Sequence, residues 1–259
     1  MTTTTLATIA QHLDAMLRIA EVPDYPNALN GVQLANRGVV SRVAASVDIS
    51  RRVIERTIEV GANLLIVHHG MFWGGLQPIR GTHYERIRLL IENDVAVYSA
   101  HLPLDAHPTF GNNVLLAREL GLASSGGFAE YKGSTIGVRG ETQIETTLLV
   151  ERARAFATTH GGSARTSLIE PGRLTRRWAI CTGAGASAET LAEAAREEID
   201  TLIVGEGPHW TAVDAPEAGV VVIYAGHYAT ETLGVSALAR HVADRFDIPW
   251  SFVEAPTGL

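Results

Sequence analysis

Six residues have side chains suited to holding metal, and each falls just beyond a short apolar run: His68, His69, His101, Asp105, His227 and Glu231. Imidazole and carboxylate are the usual protein ligands of first-row divalent metals. Four histidines and two carboxylates supply three groups to each of two ions when none bridges, and leave coordination positions for water. Two ions about 3.5–4 Å apart lower the pKa of a water and polarise a substrate oxygen. For any one of these residues, an ordinary hydrogen bond within the fold is an equally good reading. The six together are harder to explain that way, because imidazoles and carboxylates gathered away from water are costly without a partner. A carboxylate has two oxygens, so at least one of Asp105 and Glu231 is expected to bridge the ions.

An internal echo supports the grouping. Val97-Tyr98-Ser99-Ala100-His101-Leu102-Pro103-Leu104-Asp105 resembles Ile223-Tyr224-Ala225-Gly226-His227-Tyr228-Ala229-Thr230-Glu231. In both, a His follows a Tyr by three residues and a carboxylate follows that His by four. A looser pair sets Leu65-Ile66-Val67-His68-His69 against Leu202-Ile203-Val204-Gly205-Glu206. The echo suggests two related halves meeting at their strand ends.

The elements that must position these residues read as strands alternating with helices. Helical spacing covers Leu6–Ala20, and Ser50 is placed to cap a helix through Val60 that Gly61 ends. Leu64–Val67 is a short apolar strand. A helix near His83–Asn93, the strand Val95–Tyr98 and a helix near Asn112–Leu120 follow. A strand pair near Ser134–Val138 and a helix near Ile144–Thr159 fill the middle. The strand Trp178–Cys181, an Ala-rich helix Ala188–Glu198, the strands Leu202–Val204 and Val220–Tyr224, and a helix near Thr230–Phe246 close the series. The pattern predicts an α/β fold of two related lobes, with mainly parallel sheets flanked by helices and ligands at the carboxyl ends of the strands. The expected lobes are residues 1–125, with His68, His69, His101 and Asp105, and residues 126–259, with His227 and Glu231, the last helix packing back on the first lobe.

Other features are weaker. Gly183-x-Gly185 after a strand lacks the full dinucleotide fingerprint and reads better as a tight turn. Trp73, Trp210 and Tyr228 fit either an aromatic-stacking wall or the core. His83, His107, His160 and His241 read as surface or locally bonded residues. Cys181, the one cysteine, excludes an intramolecular disulfide and reads as a buried strand thiol. Of 259 residues, 46% are hydrophobic and 19% charged, as in a globular protein, and the net charge of −7 argues against a general nucleic-acid surface. The segment from Met1 to Thr5 lacks signal-peptide character, and no apolar run reaches the roughly 20 residues of a membrane span. A cytoplasmic protein is expected.

Several blocks in order resemble the YbgI-type dinuclear metal-centre proteins, also called GTP cyclohydrolase I type 2 homologues. They are Asn30-Gly31-Val32-Gln33, His68-His69-Gly70-Met71-Phe72-Trp73, Pro78-Ile79-Arg80-Gly81, His101 to Pro108 with Gly111-Asn112-Asn113, Gly205-Glu206, and Gly226 to Glu231. The resemblance implies a short-form, two-lobed subunit with the metals in the cleft between lobes. It also implies a toroidal homohexamer and two divalent ions per subunit, zinc, iron or manganese. The six residues chosen on chemistry match the family's metal positions. The implied activity is hydrolysis of a nucleotide-like or phosphorylated small molecule, with a small anionic substrate and with Glu206 or His209 moving protons; a core or loop role for those two is the other reading. Metal storage, delivery or regulation without turnover is the alternative function, and an interaction scaffold with an incidental metal is a third.

Overall fold

The computed structural model describes residues 3–259; Met1 and Thr2, which open the segment read as lacking a signal peptide, lie outside them. By internal contacts the chain forms two units. One comprises Met1–Leu104 and Gly234–Ala255, the other Asp105–Leu233 and Pro256–Leu259.

The sheet of the first unit runs in the order Trp250–Phe252, Val43–Asp48, Leu64–His69, Ala96–Ser99, Gly31–Leu34. Its first four strands are parallel, and Gly31–Leu34 closes the edge antiparallel. The central strands are buried on both faces, which is why they read as unbroken apolar runs rather than as alternation. Leu65, Val67 and Val97 pack under Val53, Ile54 and Leu90 of two helices, Arg51–Glu59 and Gly81–Glu92. On the other face the Tyr98 hydroxyl donates to Asp14 of the helix Leu6–Leu17 at 2.8 Å. Ser50 caps its helix as expected, accepting from the Val53 N–H at 3.3 Å.

The second sheet is mixed. Leu174–Cys181, Thr201–Val204 and Val221–Tyr224 are parallel neighbours. Gly126–Tyr131 and Ser134–Glu145 form an antiparallel hairpin on one side, and Arg165–Thr166 adds an antiparallel edge on the other. Both faces are covered. Trp178, Ile180, Ile203 and Ile223 pack on Leu149, Ala153 and Phe156 of the helix Thr146–Thr159. Ala179, Cys181, Leu202 and Val204 pack on Leu191 and Ala194 of the helix Ala188–Arg196.

The α/β class holds, and the departures from expectation are local. The first helix ends at Leu17 rather than Ala20, because Arg18 turns left-handed (φ 54°) and its N–H returns to Ala15 and Asp14. The strand pair near residue 134 is a long hairpin reaching Glu145, turned at Lys132 and Gly133, both with positive φ. Positive φ at both central residues matches the twist of the flanking strands. The last helix begins at His227, not Thr230, and the strand Trp250–Phe252 follows it. Among the described residues that strand pairs with Val43–Asp48 alone, at the sheet edge, so local pattern gives little sign of it. Among the described residues no helix is long and apolar enough to cross a membrane.

Candidate metal centre

In the first unit, parallel pairing brings the ends of Leu64–His69 and Ala96–Ser99 side by side. His68 and His69 end the first strand, and His101 lies two residues past the second. One ligand nitrogen from each of the three lies within 4.8 Å of the other two. Each ring is turned by a bond from Nδ1. His68 is fully buried and donates to the Ala100 carbonyl at 2.8 Å. His69 donates to Asp48 Oδ1 at 2.9 Å, and His101 to Asp24 Oδ1 at 2.9 Å. With Nδ1 so engaged, Nε2 is the nitrogen each ring presents for coordination.

The acceptors are themselves held. Asp24 also accepts from the Asn30 amide at 2.7 Å and the Leu102 N–H at 3.0 Å, while Asn30 Oδ1 accepts the His101 N–H at 2.7 Å. Burial works against the Asp24 charge, but the bonds from His101, Asn30 and the Tyr25 N–H outweigh it and hold the carboxyl below its usual range. Gln33 accepts from the Met71 N–H at 2.7 Å and fixes the turn after His69. A Cβ on Gly70 would stand 2.1 Å from the Gln33 amide and displace it. Trp73 sets its ring edgewise to His101, 4.8 Å between centroids.

In the second unit, His227 opens the helix His227–Phe246 and Glu231 lies one turn on, with His227 Nε2 and Glu231 Oε2 3.2 Å apart. His227 Nδ1 donates to Glu206 Oε1 at 2.8 Å. Burial lowers the affinity of His227 for a proton, yet Glu231 and Glu206 together push its pKa up to about 9. Asp105 is buried and accepts from the Asn112 amide at 2.8 Å. Asn113 takes the Thr182 N–H at 2.8 Å. Cys181 is buried, and burial with the charges of Asp105, Glu231 and Glu193 pushes its thiol up to about 12, so it is a packing residue.

Backbone register aligns the halves more closely than sequence does. The Ala100 N–H bonds the Val67 carbonyl, and the Gly226 N–H bonds the Gly205 carbonyl, each one residue before the echoed His. Val67 therefore corresponds to Gly205 and His68 to Glu206, one step from the pairing the residue types suggest. His209 is exposed and Trp210 is 40% exposed, whereas Tyr228 is core. Gly183 and Gly185 form the tight turn: φ is +62° at Gly183, and a Cβ on Gly185 would meet the Cys181 carbonyl at 1.9 Å. His107 and His160 make local bonds as expected, and His241 pairs with His12 at 2.8 Å. Sequence reasoning missed Asp24, Asp48 and Thr230, whose types and spacing give no signal apart from the fold.

The family model for Duf34/NIF3 (NGG1p interacting factor 3) matches residues 4–257. A Deinococcus radiodurans relative named GTP cyclohydrolase 1 type 2 homolog is 42% identical, over 97% of this chain and 93% of its own. A relative of the same name from Escherichia coli K12 is 33% identical, over 96% and 97%. Among solved structures, a protein named ybgI, of unknown function, superposes with TM-score 0.88 at 31% identity, covering 99% of this chain and 100% of that one. A protein from Thermus thermophilus superposes with TM-score 0.85 at 35% identity, over 99% and 100%.

Proposed function

Because the chain belongs to the Duf34/NIF3 family, we propose that it holds two divalent metal ions through His68, His69, His101, Asp105, His227 and Glu231 and hydrolyses a nucleotide-like or phosphorylated small molecule. The observation that carries this reading is the histidine triad, with three rings turned through Nδ1 by fixed acceptors and their ligand nitrogens gathered within 4.8 Å. Such anchoring is the usual support of metal-binding histidines. The donor set fits the ions: imidazole and carboxylate without thiolate suit zinc, iron or manganese.

Bound ions would lower the pKa of a water toward neutrality and polarise the bond to be cut. The chain's own groups do the rest. Asp24, Asp48 and the Ala100 carbonyl hold the three rings in one tautomer. Glu206 fixes His227 through Oε1, and its half-exposed carboxylate is placed to carry a proton between site and solvent. His209, exposed three residues on, is the second candidate for that role. The assembly we propose is a toroidal homohexamer in the cytoplasm, acting on a small anionic substrate.

The test is elemental analysis of the purified protein, then a nucleotide and phosphoester screen with the metal found. Two ions per chain and a product that vanishes in His68→Ala support the reading. Two readily exchanged ions with no product from any substrate would replace hydrolysis by metal storage or delivery.

A further inference from the structure

Three strand ends of the second sheet converge on the helix that carries His227 and Glu231; Gly226 leads one of them into the helix itself, and the other two end at glycines that pack against it. Gly183 follows Leu174–Cys181, and Gly205 follows Thr201–Val204. The Gly183 N–H bonds Thr230 Oγ1 at 3.1 Å, and Thr230 in turn donates to the His227 carbonyl at 3.0 Å. The Gly183 carbonyl accepts the Glu206 N–H at 2.8 Å. Gly183 is thus locked from both sides.

A Cβ on each glycine would meet different neighbours. A Cβ on Gly205 would strike the Gly183 carbonyl at 2.5 Å and the His227 Cα at 2.8 Å, so it would displace backbone. A Cβ on Gly183 would stand 2.1 Å from Glu231 Oε1 and 3.4 Å from His227 Nε2. The three heavy atoms nearest to it are the ends of two side chains, both proposed as metal ligands.

We propose that Gly183 is a positioning residue for the metal centre: the missing side chain is the space in which the Glu231 carboxylate lies against His227. The inference rests on the assignment of Glu231 as a ligand. Any substituent at 183 would rotate Glu231 away from His227.

The test compares Gly183→Ala in two backgrounds, with metal stoichiometry and affinity read by native mass spectrometry and calorimetric titration with manganese or zinc. In the natural background Gly183→Ala is expected to weaken one ion about tenfold or more and leave the other. In the Glu231→Asp background the carboxylate is one methylene shorter and clears the added carbon, so the same change should cost far less. Gly172→Ala controls for positive φ, since Gly172 also has φ +74° and a Cβ there would meet nothing within 4 Å. Should Gly183→Ala fail to fold, recovery of folding in the double variant supports the proposal, and an unfolded double variant overturns it. Equal losses in both backgrounds, or full occupancy in folded Gly183→Ala, also overturn it. Glu231→Gln separates the two claims. If it loses an ion while Gly183→Ala keeps both, only the role of Gly183 fails; if it keeps both, the ligand assignment fails and takes this inference with it.

Discussion

The two groups of candidate ligands stand at the ends of sheets with the same local topology, yet they are built differently. His68, His69 and His101 sit on strand ends and a loop, and one of their orienting acceptors is a main-chain carbonyl. His227 opens a helix and Glu231 lies one turn on, and the His227 ring lies between two acids, Glu206 and Glu231. Where the first sheet places His68, the second places Glu206. In the first group each ring is fixed through Nδ1 by one acceptor, the Ala100 carbonyl, Asp48 or Asp24. In the second, Glu206 and Glu231 push the pKa of His227 up to about 9. On the proposed assignment, His227 gives up a proton when it takes a metal.

The largest expected effect is loss of metal when a ligand is removed. His68→Ala and His227→Ala should each lose at least one ion while circular dichroism shows most of the fold retained. His68 is the more severe test, because its buried position leaves a cavity and an unmet Ala100 carbonyl. Full metal occupancy in both folded variants would sink the assignment.

Next in size is the effect of the carboxylates. Asp105→Asn and Glu231→Gln should fold, and at least one should bind the second ion much more weakly, because an amide cannot bridge as a carboxylate does. Anomalous scattering from crystals with both ions would exclude bridging if neither carboxylate lay within about 2.6 Å of a metal.

Asp24→Asn should cost about ten- to a hundredfold in metal affinity without removing a ligand, since His101 would lose the charge that fixes its ring. Glu206→Gln should cost less at neutral pH, because it also removes part of what holds the competing proton on His227. Calorimetric titration of both variants under one set of conditions orders them, and a larger loss for Glu206→Gln would reverse the comparison between the halves.

The smallest effect is on pH dependence in the metal-free protein. The His227 pKa rises from 6.5 to about 9 on folding. Between these values the folded chain binds the extra proton, so its stabilising contribution is complete below about pH 6.5 and is lost as pH rises through about 9. Urea midpoints of metal-free protein at pH 6.5 and above 9, with His227→Gln as reference, should show this difference. Metal loading near neutral pH should release a proton, seen as a dependence of the calorimetric heat on buffer. Absence of both signals would mean that the acids around His227 do not hold its proton.

Much of the centre was legible because it lies where local pattern is strongest. Short apolar runs mark buried parallel strands, and the repeated Tyr-x-x-His-x-x-x-acid spacing marks two such ends. The residues that tune the site were not legible in that way. Asp24 and Asn30 reach His101 across more than seventy positions of sequence, and Asp48 reaches His69 through strand register. The hairpin to Glu145 and the edge strand Trp250–Phe252 depend on partners far along the chain.

By itself the sequence determined the alternation of strands and helices, because burial on two faces demands apolar runs, and it marked the candidate ligands, because coordination chemistry admits few side chains. Only the tertiary structure decided which nitrogen of each candidate histidine is engaged by an acceptor, that Glu206 stands where His68 stands in the other sheet, and that a Cβ on Gly183 would meet the Glu231 carboxylate. Those choices depend on hydrogen-bond register and on distances of a few ångströms between segments remote in sequence, which no local pattern encodes.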